Sequence, residues 1–215
     1  MFALALALPL AASALAMPNP RLPPRQDGSP CAGFGENSTD SPSYNFTLAA
    51  YNSTGSNANS TGAPLVLAWG PPGDSAAASA WVFSTYASWG SDEWPYNVLE
   101  QGALLPQPGP SEDGLGAYNL FAPTAGEEVI WFVTTEEEDP STQQIFCAVN
   151  ETSSEYDVLA VNGSAGNFSL CAATTDWVTG SQFNLVYAPA SNGSSYVYET
   201  CYPPVYSEPD TLRAL

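Results

Sequence analysis

Histidine and lysine are both missing from this 215-residue chain, and arginine occurs three times, at Arg21, Arg25 and Arg213. Without histidine there is no Ser-His-Asp triad, no Cys-His pair and no imidazole ligand for zinc or copper. Without lysine, Schiff-base chemistry and a P-loop phosphate contact are excluded too. Between Gln26 and Leu212 no cationic side chain stands against the acids, of which the whole chain carries 22 for a formal charge of -19. A nucleic acid or an anionic membrane would meet only repulsion there, so neither is expected as a partner. Ion pairs within that stretch are impossible. The fold must rest on burial, backbone hydrogen bonds and covalent links.

Other absences narrow the chemistry further. There is no G-x-S-x-G elbow, no Asp-Thr-Gly or Asp-Ser-Gly triplet and no C-x-x-C pair. The run Glu136 to Asp139, with Glu127 and Glu128 nearby in sequence, lacks the spacing of an EF-hand loop and reads as a solvated hairpin loop. No metal and no other cofactor is expected. A hydrolase working through carboxylates alone needs only two acids roughly 5–10 Å apart, and the sequence cannot pick such a pair.

What is present points outward from the cell. Residues 2–16 are almost wholly apolar, too short to span a bilayer as a helix, and end in Ala14-Leu15-Ala16, small residues of the kind a signal peptidase reads. We expect a signal peptide over 1–16 and a Pro-rich pro-segment over 17–25, with cleavage after Arg25 giving a chain that starts at Gln26. No second apolar run and no hydrophobic tail follows, so a free, soluble product is expected. Eight N-x-[ST] acceptors occur, at Asn37, Asn45, Asn52, Asn59, Asn150, Asn162, Asn167 and Asn192. Four widely spaced cysteines, Cys31, Cys147, Cys171 and Cys201, suit disulfides in an oxidising compartment.

The pattern is all-β. Short runs of β-branched and aromatic residues, separated by Gly, Pro, Asn and Ser, predict strands near 44–50, 64–69, 80–86, 96–105, 117–122, 128–134, 143–149, 156–161, 167–172, 182–188 and 195–201. Helix signals are nearly absent, and the alanine-rich tract 75–80 is too short to hold alone. An antiparallel β-sandwich or a closed barrel of about ten strands is expected over 44–206, with a C-terminal meander, an irregular leader at 26–43 and a tail at 207–215.

Glycan acceptors set the phase of two strands, because a glycosylated side chain must face solvent. Alternation then sends Phe46 and Leu48 inward from Asn45, and Phe168 and Leu170 inward from Asn167 and Ser169. Cys171 shares parity with Asn167 and Cys201 with Glu199, whereas Cys147 shares parity with Ile145 and Val149. The pairing Cys171–Cys201 with Cys31–Cys147 is therefore favoured among the three possible.

Aromatic residues crowd the stretch 69–96. Trp69 and Trp81 fall on expected strands and are assigned to the core. Tyr86, Trp89, Asp92, Glu93, Trp94 and Tyr96 fall in a loop. Flat rings beside carboxylates suit sugars, by stacking and hydrogen bonding; the competing reading is a plug over the end of the sandwich. The leader ALALALPLAASALA, the segments NFTLAAYN, IFCAVN and FSLCAA, and the terminal ETCYPPVY resemble the small secreted glycoproteins of filamentous fungi. That resemblance implies a cell-wall association and polysaccharide or cell-wall partners, and transfers no catalytic residue. Three functions follow: a non-catalytic extracellular or cell-wall glycoprotein, a carbohydrate-binding module using the aromatic loop, and a carboxylate-only hydrolase.

Overall fold

The structure, a computed structural model, describes residues 28–51, 62–70, 79–136, 140–150, 156–174, 182–202 and 211–214. The leader 1–27, the acceptors Asn52 and Asn59, most of the alanine-rich tract and the acids at 137–139 lie outside them. The described residues form β1 (Phe46–Ala50), β2 (Ala63–Trp69), β3 (Ser79–Thr85), β4 (Tyr96–Glu100), β5 (Ala103–Gln107), β6 (Leu115–Tyr118), β7 (Glu127–Glu128), β8 (Ile130–Thr135), β9 (Phe146–Val149), β10 (Asp157–Val161), β11 (Phe168–Ala172), β12 (Phe183–Tyr187) and β13 (Thr211–Ala214). One helical turn, α1 (Tyr86–Trp89), follows β3, and a 3-10 turn spans Tyr198–Thr200. All ladders are antiparallel.

The main hydrogen-bonded path runs β11-β12-β3-β2-β1-β13-β10-β9, with β4–β5 branching from β1 and β8–β6 branching from β3. The two branches fold round to face the main path. β5 and β6 come into contact, yet no ladder joins them, so the sheet curls without closing into a barrel. A sandwich results, and its single large core takes residues from both layers: Phe46 and Leu48 of β1, Leu67 of β2, Phe83 of β3, Leu104 of β5 and Trp131 of β8 are all buried. Trp131 anchors this core, its ring at 4.7 Å from Phe83 and 6.2 Å from Phe146, and its indole N–H donates to the Leu104 carbonyl at 3.1 Å. That bond ties the two branches together.

Strand phase follows the expected alternation. Phe46, Leu48, Phe168 and Leu170 all enter the core. Ser169, expected at the surface, is buried, because the outer face of β11–β12 is itself covered. On that face Cys171, Val186 and Tyr196 form a small second cluster with Cys201 packed against it. A matching cluster, Cys147, Val149, Val158 and Ala160, lies outside β9–β10 beneath Cys31 and Phe34 of the irregular leader. Each outer cluster contains one disulfide. Cys31 pairs with Cys147 and Cys171 with Cys201, the favoured pairing. Cys147 nevertheless faces outward, and not inward as its parity with Ile145 implied, because β9 begins only at Phe146.

Several local readings change. The expected strand at 96–105 is a hairpin, turning at Gln101 and Gly102, both at positive φ. Two such residues give the tight turn that matches the twist of paired strands. Gly102 is also pressed against the leader: a Cβ there would come within 2.7 Å of the Pro30 ring, while its N–H donates to the Asp40 carbonyl at 2.9 Å. The segment 195–201 is not a strand. Tyr196 makes an isolated bridge to Ala173, and the chain then enters the 3-10 turn that delivers Cys201. The meander resolves into two hairpins, β9–β10 and β11–β12, at opposite ends of the main path. Part of the expected tail, β13, lies between β1 and β10. Its backbone joins the two halves of the path, a contribution that carries no side-chain pattern in the sequence.

The disulfides span 116 and 30 residues. Restriction of the unfolded chain alone then assigns about 5 kcal/mol to the first and about 4 to the second. Urea denaturation of the Cys31→Ala/Cys147→Ala and Cys171→Ala/Cys201→Ala pairs is expected to show the larger loss for the first. The reverse order would place the stabilisation in the outer clusters rather than in chain restriction.

Candidate functional site

The aromatic stretch is built from the end of one hairpin. Trp69 and Trp81 face each other across β2 and β3, and Trp81 faces Trp131 across β3 and β8, so all three rings share one face of the sheet. Trp81 and Trp131 lie over the core and are buried. Trp69 is the last residue of β2, beyond the edge of the opposing layer, and stays 55% exposed. The core position expected for it is wrong: β2 ends at Trp69, and its ring stays open to solvent.

After β3 the chain makes the single turn of α1, fixed by hydroxyl groups rather than by length. The Ser88 hydroxyl donates to the Thr85 carbonyl at 3.0 Å and lies 2.8 Å from the Thr85 hydroxyl, and the Phe183 N–H donates back to it at 3.2 Å. Ser84 donates to the Phe183 carbonyl at 2.7 Å. The turn is therefore tied to β12, and Gly90, at φ 90°, closes it by donating its N–H to the Tyr86 carbonyl. This placement brings the half-buried Trp89 ring to 5.7 Å from Trp69, while Tyr86 remains exposed. Trp69 and Trp89 thus meet at the surface, and Tyr86 is exposed on the same turn as Trp89.

The rest of the loop separates from them. Trp94 is only 3% exposed and packs perpendicular to Trp81 at 6.2 Å, so it is a plug in the core. Tyr96 is half-buried at the start of β4. The indole nitrogens of Trp89 and Trp94 are both buried without an acceptor, so neither ring offers its N–H to a ligand. Asp92 is exposed and Glu93 half-buried, with the Glu93 carbonyl accepting the Gly109 N–H at 2.7 Å. Partial desolvation raises the Asp92 pKa above its ordinary value. Desolvation, and then repulsion from Glu93, raises that of Glu112. The exposed rings thus lie on one stretch of chain with Asp92, a carboxyl that holds its proton more readily than usual.

A second polar array lies on the outer face of the sheet. Asn184 donates to the buried Glu128 carboxylate at 3.2 Å, Gln182 donates to Asn184 at 2.8 Å, and Gln182 also donates to the Trp69 carbonyl at 3.0 Å. Amide groups here do what cations would do elsewhere. Glu127 is likewise engaged, accepting the Thr124 N–H at 3.1 Å. Neither acid is placed beside a third acidic or cysteine ligand: among the described residues no cluster of three or more is positioned to hold a metal ion. The acceptors Asn37, Asn45, Asn150 and Asn192 are exposed, and Asn162 and Asn167 are half-buried.

The raised carboxyls of Asp92 and Glu112 give a pH dependence of definite sign. Their folded forms bind protons more tightly than the unfolded chain does, so their contribution is complete below about pH 4 and is lost as pH rises through the raised values. At low salt the melting temperature should fall between about pH 4 and about pH 7. About 0.5 M salt should remove only the part due to repulsion between Glu93 and Glu112, since desolvation is not screened. A melting temperature that climbs over this range would contradict the sign.

No family model, no curated protein and no solved structure matches this chain.

Proposed function

We propose that the protein is exported, N-glycosylated, and acts as a non-catalytic acidic component of the extracellular space or cell wall. The observation that carries this reading is the closure of all four cysteines in two disulfides, which persist in oxidising surroundings. Among the described residues no helix is long and apolar enough to cross a membrane. The apolar leader, the exposed acceptors and the likeness to small fungal secreted glycoproteins support the same reading. Intact-mass analysis of secreted material, before and after deglycosylation, is expected to show a chain starting after Ala16 or at Gln26 with several acceptors occupied. A chain that keeps Met1 and carries no glycan would refute it.

A second reading, saccharide binding, is favoured by one observation: Trp69 stands 55% exposed and ring to ring with Trp89. Apolar sugar faces would stack on this pair and on Tyr86, with Asp92 accepting hydroxyl hydrogen bonds. Trp69→Ala should then abolish retention on a polysaccharide column while leaving stability nearly unchanged. Trp94→Ala should cost about 3–5 kcal/mol in denaturant unfolding, as expected of a large core ring. Unaltered retention by Trp69→Ala would remove the platform from consideration.

A further inference from the structure

A groove of about 610 Å³ lies between the segment 121–130 and the turn 192–195. Its floor includes the buried Glu128 and its wall includes Phe121, which is 69% exposed and packs perpendicular to Phe132 at 5.8 Å. The same groove is lined by Asn192, the first residue of the acceptor Asn192-Gly193-Ser194.

Both segments are fixed. β7 pairs with the end of β12, Val186 opposite Glu128 and Tyr187 opposite Glu127, and Gly126 donates its N–H to the Tyr187 carbonyl at 2.8 Å. The Asn192 turn is clamped by Tyr196. This buried side chain accepts the Ala190 N–H at 2.7 Å and donates to the Ala190 carbonyl at 2.8 Å, and its ring fills the space that a Cβ at Gly193 would need. Gly193 closes the turn by donating to the same carbonyl at 3.0 Å. An exposed acceptor is thus held in a rigid turn that lines the same groove as an exposed aromatic ring. The groove at Asn45 is as large, about 690 Å³, but its aromatic members Tyr44 and Tyr118 are half-buried.

We propose that this groove seats the chain's own N-glycan at Asn192. The inference rests on the export and glycosylation proposed above. The Asn192 Nδ2–C1 bond forms as the C1–O bond of a diphospholipid-linked oligosaccharide breaks; the amide nitrogen gives up one proton and the diphospholipid departs. The first N-acetylglucosamine then lays its apolar C–H face on the Phe121 ring, and its hydroxyl and acetamido groups meet the polar wall formed by Glu127 and Ser195. The sugar shields an apolar ring that is 69% exposed, and the rigid turn keeps the cost of ordering the glycan low.

The test uses the secreted, glycosylated chain. Glycopeptide mass analysis is expected to find Asn192 occupied. Asn192→Gln and Phe121→Ala should each lower the melting temperature by about 2–4 °C, a shift typical of one surface contact in a domain of this size, and the double variant should lose no more than either single one. In wild-type protein, nuclear Overhauser contacts should connect the Phe121 ring to C–H protons of the first sugar, a readout that does not depend on any variant folding. Losses that add in the double variant, or no ring-to-sugar contact, would overturn the proposal. If Asn37 or Asn150 is occupied while Asn192 is bare, the groove assignment fails and the secreted-glycoprotein reading stands. If no acceptor is occupied, both fail.

Discussion

Burial of both faces of the β9–β10 and β11–β12 hairpins is the feature on which the rest of the fold depends. A chain with no cation between Gln26 and Leu212 cannot draw its surface segments down by ion pairs. It instead lays irregular segments over the outside of its hairpins and fastens each covalently. In β9 and β10, Phe146 and Leu159 feed the large core while Cys147 and Val158 feed the outer cluster beneath Phe34. The disulfide turns what would be a weak, local contact into a permanent one, because the two ends can no longer diffuse apart in the unfolded chain. The 3-10 turn before Cys201 does the same at the other end of the sheet, where Tyr196 closes over Cys171 and Val186. Leader and C-terminal segment are thereby structural parts of the domain.

The same lack of cations shapes the buried polar groups. A buried carboxylate is costly unless it is hydrogen-bonded, and an arginine is the usual remedy. Glu128 is satisfied by the Asn184 amide, which passes the load to Gln182 and on to the Trp69 carbonyl. Tyr44 and Asp157 make the matching case nearer the surface. The Tyr44 hydroxyl donates to the carboxylate at 2.6 Å, and burial, this hydrogen bond and the negative charge together push the tyrosine up to about 12. Asn150 donates to the other Asp157 oxygen at 2.9 Å. Neutral donors therefore carry the work of acid stabilisation on both sides of the sandwich.

Strands and disulfides were legible in the sequence where a side-chain period reports them. Phe46, Leu48, Phe168 and Leu170 alternate against acceptor asparagines, and their burial followed from that alone. Gln101-Gly102 was hidden because Leu104 and Leu105 continue the apolar run past the turn, and a glutamine at positive φ is not a usual turn signal. β13 was hidden because a four-residue strand that works through its backbone has no pattern to find. The disulfide pairing emerged although two of its premises fail: 195–201 is no strand, and Cys147 faces outward like Cys171, not inward with Ile145. Trp69 shows the opposite failure. Its parity was legible and its exposure was not, since exposure depends on where the opposing layer stops, a property of tertiary packing rather than of local period.

Apart from Tyr198 and Tyr202, exposed next to the Cys201 turn, surface rings stand in two settings that ask for different covers. Trp69 and Trp89 meet at the open end of the sandwich, with Tyr86 exposed on the same turn as Trp89, a turn tied to β12 by hydroxyl hydrogen bonds. Asp92, whose carboxyl is raised rather than depressed, lies on the same stretch of chain. Phe121 lines a clamped groove together with its own chain's acceptor asparagine. A charged ligand suits neither setting, because no cation is near to meet an anion and the groove at Phe121 offers a cation no clustered oxygen ligands. A saccharide is neutral, has apolar C–H faces for rings, and has hydroxyl groups that donate to carboxylates. Its chemistry is the one that both proposals above invoke, as an attached glycan at the groove and as a free ligand at the open end. A formal charge of -19 sets up no electrostatic barrier to neutral sugars, so the chain's charge is compatible with the polysaccharide setting proposed above.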